Sequence, residues 1–259
     1  MIEKHLSGKI PWVTGSSRGI GREIAEHLAR CGARVVLHGA SPAPAQLAGA
    51  GEALSAIASE IETSCGIETF HVCGDLSRPA IVKALVAQIH DRFGRIDILV
   101  NNAGGDIGKK GVEAPNAGKP EHNDPVFISA EDLQTVLDRN LMTCIHACRE
   151  VAPEMIGRKR GRIVNVGSIA GLAGRAESAI YATAKAAMHE YTRCLAAMLR
   201  PHGVQANVVA PGDIVTERFK ASRPIDEGKV GTEGSLDRYG WPAEVADTVE
   251  FLVSDASSF

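Results

Sequence analysis

Apolar residues fall in short runs separated by longer stretches of helical period. Lys9 to Thr14 reads as a short apolar strand, followed at once by the glycine-rich turn Gly15-Ser16-Ser17-Arg18-Gly19-Ile20-Gly21. A helix is expected from about Arg22 to Arg30, with Gly32 in the place of a helix C-terminal cap, and Ala33 to Leu37 is the next strand. The rhythm continues with a helix near Gln46 to Cys65, a strand near Thr69 to Cys73, a helix near Pro79 to Phe93 and a strand at Ile96 to Val100. Further on come a helix near Ala130 to Met155, a strand at Gly161 to Val166, a helix near Ile180 to Leu199 and a strand at Val204 to Val209. Strands this apolar cannot face water on either side, so the pattern predicts an α/β fold with a parallel sheet covered by helices on both faces. Neither a linker nor an internal repeat divides residues 1–259, which read as one domain. Two irregular segments, about 105–127 and 212–241, follow the C-terminal ends of predicted strands, where open α/β sheets bind ligands.

Composition narrows the class without naming a function. With 44% apolar and 23% charged residues among 259, the chain can bury a large core and needs no disulfide or metal staple. A net charge of -3 lacks the basic footprint of a nucleic-acid binder. No apolar run approaches a membrane span and the first residues lack a secretory core, so no membrane partner and a cytoplasmic location are expected. The six cysteines are scattered, as suits reduced thiols. Cys144 and Cys148 share a helical face near His146, but further ligands at matching spacing are missing; core burial is expected there, and no metal.

Candidate chemistry sits at two places. Glycines between a first strand and first helix let backbone N–H groups and the helix N-terminus approach a pyrophosphate, although the spacing Gly15-x-x-x-Gly19-x-Gly21 is not the commonest fingerprint and a tight turn without ligand would look similar. Tyr181 and Lys185 stand four apart on a predicted helix, so an ammonium lies beside a phenol. A neighbouring cation favours the phenolate and would bring the phenol into range for general acid–base work. Such a pair is often only an exposed surface pair; here Ser168 stands thirteen residues earlier, at the end of a buried strand.

The glycine turn, Asn101-Asn102-Ala103-Gly104, Ser168, Tyr181-x-x-x-Lys185 and Pro211-Gly212, in this order over nearly the whole chain, resemble the short-chain dehydrogenase/reductase family. The resemblance implies a single-domain Rossmann-type doubly wound sheet and an NAD(P)-dependent oxidoreductase acting on a small carbonyl or secondary alcohol. By it, Gly15, Ser17, Gly19, Ile20 and Gly21 would form the pyrophosphate turn, Asp75 and Leu76 would meet the adenine, and Asn102, Ala103 and Gly104 the adenosine side. Pro211, Gly212, Ile214 and Thr216 would hold the nicotinamide end, and Asn140, Ser168, Tyr181 and Lys185 would form the catalytic set, with Asn140 kinking its helix and joining a water relay through Lys185 to Tyr181. It also implies a homo-oligomer, tetramer or dimer, and leads on past Phe259 into one more short edge strand that this sequence does not include.

Two departures sharpen that picture. The second strand ends in Leu37-His38-Gly39-Ala40-Ser41, without the carboxylate that accepts from a ribose 2′-hydroxyl, while Arg18 can pair with a 2′-phosphate; NADP(H) is therefore expected over NAD(H). Insertions around Ala43 to Gly51 and Gly105 to Pro125 lengthen the chain, and the second carries Lys109, Lys110, Glu113, Asn116, Lys119, Glu121, His122, Asn123 and Asp124. With Arg175, Glu177, Arg218, Lys220 and Arg223, these read either as a polar lid for a hydroxylated or anionic substrate or as a solvated or subunit-contact loop. A 3-oxoacyl thioester reductase, and a non-catalytic cofactor sensor or scaffold, are the rival readings.

Overall fold

The apolar runs become the strands of one parallel sheet. β1 (Pro11–Val13), β2 (Val36–Gly39), β3 (Phe70–Cys73), β4 (Ile98–Asn101), β5 (Gly161–Val166) and β6 (Val204–Val209) lie in the order β3-β2-β1-β4-β5-β6. The computed structural model describes residues 4–41, 53–231 and 236–258, and the insertion expected at Ala43 to Gly51 lies outside them.

Side chains alternate across the pleat, so one strand feeds two cores. Leu99, in register with Trp12 and Ile163, packs beneath α3 (Pro79–Phe93), α5 (Thr143–Arg158) and α6 (Ala179–Leu199). Its neighbours Ile98 and Val100 point the other way, joining Val13, Leu37 and Val164 beneath α1 (Gly19–Arg30), α2 (Leu54–Cys65) and α8 (Pro242–Val253). With both faces covered, the fold is the doubly wound α/β architecture that the strand pattern predicts. Cys144 and Cys148 are buried in the first of these cores, and Cys148 Sγ accepts a hydrogen bond from Asn101 Nδ2 at 3.2 Å. Among the described residues, no helix is long and apolar enough to cross a membrane.

Several boundaries differ from the sequence reading, each for a local reason. α1 starts at Gly19 instead of Arg22, because Arg18 is extended and the glycine itself opens the first turn. β2 starts at Val36 and runs on through His38 and Gly39: His38 is buried and neutral, so a residue that reads as polar continues a buried strand. α2 starts at Leu54. The long helix expected from Ala130 to Met155 is α4 (Ala130–Leu137), one π-helical turn at Asp138–Met142, and α5, which runs to Arg158. Within 212–241 lies a short helix, α7 (Glu217–Ser222), whose Thr216 cap accepts from the Phe219 amide at 3.1 Å; an isolated parallel bridge between Ile214 and Gly240 ties the two ends of the segment together.

A chain of buried side-chain hydrogen bonds seats α6. Asn101 Nδ2 of β4 donates to Asn165 Oδ1 of β5 at 2.8 Å, Asn165 Nδ2 donates to Thr192 Oγ1 of α6 at 2.8 Å, and Thr192 Oγ1 donates to the Met188 carbonyl at 2.7 Å. Buried amides left without partners cost more than the net value of the bonds they make. Thr192→Val should therefore lower stability by about 1–3 kcal/mol although it preserves side-chain volume, read as a lower urea midpoint at unchanged m-value; an unchanged midpoint would show that the chain contributes nothing.

Candidate active site

The sheet order reverses between β1 and β4, and side chains tie the two strand ends together there. Thr14 Oγ1 accepts from the amides of Asn102 and Ala103, each at 3.0 Å, and donates to the Val100 carbonyl at 3.3 Å. Asn102 Nδ2 in turn donates to the carbonyls of Thr14 and Gly15 at 3.1 and 3.0 Å. These contacts leave no room for a Cβ at Gly15 or Gly21. Gly15 has φ +65°, and a Cβ there would stand 2.8 Å from Ala103 Cα; a Cβ on Gly21 would collide with Asn102 Nδ2 and the Gly15 carbonyl. From β2, His38 Nδ1 accepts from the Gly15 amide at 3.0 Å, so its Nε2–H donates to the Gly74 carbonyl at 2.9 Å. Burial pushes the His38 pKa down to about 4, and the ring is neutral at physiological pH.

Above this turn opens a cavity of about 340 Å³. Its walls include Gly15, Ser17, Arg18, Gly19, Ile20 and Gly21 from the turn, Ala40 after β2, Asn102, Ala103 and Gly104 after β4, and Pro211, Gly212 and Thr216 after β6. Ser168, Tyr181 and Lys185 close its far end. Ile214 lines an adjoining cavity of about 200 Å³ that shares Ser168, Tyr181, Gly212 and Thr216 with the first. Three expected contacts are not among these walls. Leu76 is buried in the core, Asp75 turns its carboxylate to the Ser77 amide and hydroxyl at 2.9 and 2.8 Å, and Ser41 lies outside the lining.

Tyr181 and Lys185 do lie on one face of α6, with Lys185 Nζ 5.8 Å from the Tyr181 ring centroid. Their electrostatics differ from the sequence reading. Burial pushes the phenol above its usual range, while the Ser168 hydroxyl pulls it back; burial also lowers the Lys185 pKa to about 8. Desolvation therefore drives both groups towards their neutral forms. Lys185 Nζ donates to the Val166 carbonyl at 2.8 Å and has further N–H donors at the cavity wall. Ser168 caps the turn after β5, its Oγ accepting from the Ala170 amide at 3.1 Å.

Asn140 is fully buried in the π-helical turn that lies between α4 and α5. Its amide is committed elsewhere: Oδ1 accepts from the Gly105 amide at 2.8 Å, and Nδ2 donates to the carbonyls of Gly105 and Val136, each at 2.9 Å. The side chain thus pins the strand-end loop and does not reach Lys185 directly.

Sequence reasoning passed over other residues of the site. Besides His38, His189 Nε2 accepts from the Ser168 amide at 3.4 Å. Asp106, directly after Gly104-Gly105, is 6% exposed, lines the smaller cavity, and accepts from Asn123 Nδ2 at 2.7 Å and Ser178 Oγ at 2.8 Å. Its signal was a carboxylate two residues beyond a glycine at a strand end. Of the charged residues expected near the pocket, Lys119, Arg175, Arg218 and Arg223 line it, whereas Lys109, Lys110, Glu121 and His122 surround a separate hollow in the inserted loop.

Comparison with known proteins gives the same picture from sequence. The family model described as short chain dehydrogenase matches residues 9–226. The 3-oxoacyl-(acyl-carrier-protein) reductase FabG of Aquifex aeolicus (strain VF5) is 34% identical over 260 residues, covering 100% of this chain and 95% of that protein. Cyclohexanol dehydrogenase of Rhodococcus sp. (strain TK6) is 36% identical over 262 residues, covering 98% and 92%. Among solved structures, a putative gluconate dehydrogenase from Agrobacterium tumefaciens superposes with a TM-score of 0.82 at 31% identity, covering 100% of this chain and 93% of that one.

The buried His38 makes an acid-side prediction. Its pKa of about 4 in the folded chain lies below the value of about 6.5 for an unfolded histidine, so between these values the unfolded chain binds more protons. The stabilisation it gives is complete above about pH 6.5 and is lost as pH falls towards 4, by about 2 kcal/mol between pH 7 and pH 5. Urea unfolding of His38→Asn should show that much less acid sensitivity over this interval than the parent chain; parallel pH profiles would remove His38 from the balance.

Proposed function

The chain belongs to the short-chain dehydrogenase family and is an NAD(P)-dependent oxidoreductase, and on that premise we propose that Tyr181 moves the proton as a carbonyl and a secondary alcohol are interconverted. The observation that carries the reading is the meeting of two cavities at Ser168 and Tyr181, one walled by the glycine turn and the other by charged side chains.

The residues present fit a phosphorylated, ribose-bearing cofactor. Glycines stand where side chains would fill the cradle, and a buried ammonium at the cavity wall keeps donors for hydroxyl groups. When bound, the cofactor supplies or accepts the hydride. The turn from Gly15 to Gly21 would hold the phosphates, and Asn102, Ala103 and Gly104 the adenosine side. Asp75 and Leu76 remain candidates for the adenine through backbone groups, since their side chains are engaged elsewhere. Pro211, Gly212, Ile214 and Thr216 would hold the nicotinamide end.

Tyr181 would give its phenolic proton to the carbonyl oxygen in reduction and take it back in oxidation, with Ser168 orienting that oxygen. Lys185 would bind ribose hydroxyls and draw the phenol down against its desolvation. Asn140 acts by fixing Gly105 against the π-helical turn, and a water relay through residue 140 would use its backbone carbonyl. His189 orients Ser168 through its amide.

We further propose NADP(H) as the preferred cofactor. Arg18 lines the cavity beside Ala40, and no carboxylate ends β2. The six unpaired thiols support a reducing, cytoplasmic setting, and the exposed Ala186 and Ala197 on α6 support close approach of a second subunit in a homo-oligomer. The charged cavity wall favours a polar small substrate over an acyl thioester.

Steady-state kinetics on a panel of alcohols and ketones tests these readings together. Tyr181→Phe should reduce kcat by about 10²–10⁴ while the cofactor dissociation constant stays within about threefold. Full activity in that variant would remove Tyr181 from the chemistry, and inactivity of the parent chain on every substrate would favour a cofactor sensor. A kcat/KM higher for NADP(H) than for NAD(H), with the gap narrowed by Arg18→Ala, is the expected cofactor result; a preference for NAD(H) would overturn it.

A further inference from the structure

The cavity beside Tyr181 carries more positive charge than its own residues answer. Lys119, Arg175, Arg218 and Arg223 line it against two carboxylates, Asp106 and Asp213. Asp213 is already paired with Arg223 at 2.9 Å, at the outer, more exposed edge. Lys119 is partly buried, and its ammonium has no hydrogen-bond or ion-pair partner among the described residues. Its charge is opposed by desolvation first and then by the nearby Arg223 and Arg218, while Asp106 and Glu177 favour it from beyond contact distance. Cations that converge in a partly dry site raise one another's cost unless an anion joins them.

Two further atoms lack partners at the same wall. Arg218 donates through one terminal nitrogen to the carbonyls of Asp106 at 2.6 Å and Ala117 at 3.4 Å, but its Nε is buried with no acceptor. Asp106 has one oxygen satisfied by Asn123 and Ser178, while Oδ1 is buried with no donor. Buried polar groups without partners are rare in folded proteins and call for a ligand or ordered water. Here an ammonium, a buried guanidinium N–H and a buried carboxylate oxygen remain unmet on three residues that line one space of about 200 Å³.

We propose that this cavity recognises a polyhydroxy carboxylate: Lys119 and Arg218 take the carboxylate, and Asp106 Oδ1 accepts from a hydroxyl on a carbon other than the reacting one. The assignment rests on the oxidoreductase reading above and specifies its substrate class. A simple fatty acid would meet the cations but leave Asp106 unpaired, and a neutral polyol would do the reverse. In oxidation, Tyr181 as its phenolate would take the hydroxyl proton, and the cofactor, when bound in its oxidised form, would accept the hydride from the reacting carbon, leaving the keto acid. Because Ser178 immediately precedes α6, Asp106 also ties the recognition wall to the helix that carries Tyr181.

Calorimetric titration of the chain saturated with reduced cofactor, where no oxidation can occur, isolates recognition from turnover. D-gluconate should bind at least about tenfold more tightly than D-sorbitol, which replaces the carboxylate by a hydroxymethyl group, and than hexanoate, which lacks the hydroxyls. Lys119→Ala should abolish the preference over D-sorbitol and Lys119→Arg should restore it, which separates charge recognition from loop damage. Asp106→Asn keeps an oxygen for Asn123 and Ser178 but turns the unpartnered acceptor into a donor, so the preference over hexanoate should collapse. Equal affinity for D-gluconate and D-sorbitol, or an Asp106→Asn chain that keeps its preference over hexanoate, overturns the proposal. Tighter binding of D-glucose 6-phosphate than of D-gluconate also overturns it, in favour of a phosphate site. Oxidation assays with the same compounds separate the two readings. Discrimination in binding with no turnover of any alcohol overturns the oxidoreductase reading and leaves the anion site standing. Turnover without discrimination does the opposite.

Discussion

The site depends on a small set of hydrogen bonds that close the gap between β1 and β4. In a parallel sheet whose order reverses at this point, the two strand ends diverge and their backbone groups would be left to water. Thr14 and Asn102 prevent that by serving as each other's backbone partners, and His38 secures the Gly15 amide from the other side. The individual bonds are worth about 1 kcal/mol each in net terms, but leaving any of these buried groups unmet would cost more. Once they are satisfied within the protein, the backbone of the glycine turn is held at the edge of the cavity, with the side chains of Ser17, Arg18 and Ile20 on its wall. The cradle is thus a consequence of how the strand ends are tied and does not arise from glycine content alone.

That dependence explains what could be read from the chain and what could not. Strands such as β5 and β6 were legible to the residue because each is a short valine- or isoleucine-bearing segment broken only by single polar residues, with a glycine at or just before its start. The glycine turn, Ser168, Tyr181 and Lys185 were legible because backbone clearance and an i,i+4 spacing are local requirements. His38 was not, since only the tertiary fold makes a neutral imidazole a better strand residue than its polarity implies. An irregular helix at Asn140 was implied by the resemblance, but its partner Gly105 was not legible, because it lies far off in sequence. Asp106 was visible as a carboxylate, but its meaning required Asn123 and Ser178 to arrive beside it from two other segments.

The same contrast applies to Tyr181 and Lys185. Their spacing predicts an ammonium that lowers a phenol, a statement about two charges; the fold adds that both groups are desolvated, and desolvation acts first on each. A buried ammonium answered by one carbonyl at 2.8 Å is poised between charged and neutral forms. Hydroxyl groups brought to its remaining donors would favour the charged form, and that charge would then favour the phenolate. On the proposed mechanism, cofactor binding and proton transfer would be coupled in this way through Lys185.

A comparable coupling runs through the inserted loop. Ser178 takes a left-handed backbone conformation at φ +57°, which a non-glycine residue adopts at a cost of about 1–2 kcal/mol. Its hydroxyl bond to the buried Asp106 and the Asn123 carbonyl that receives the Ala179 amide at 3.4 Å hold the first turn of α6 against that cost. The insertion is therefore not an appendage hung over a finished site. It supplies the carboxylate and amide that fix the start of the helix bearing Tyr181, and its Lys119 reaches the same cavity. On the proposed mechanism, sequence change in this loop would alter the substrate wall and the start of the helix bearing Tyr181 together, so substrate preference and kcat would change in concert.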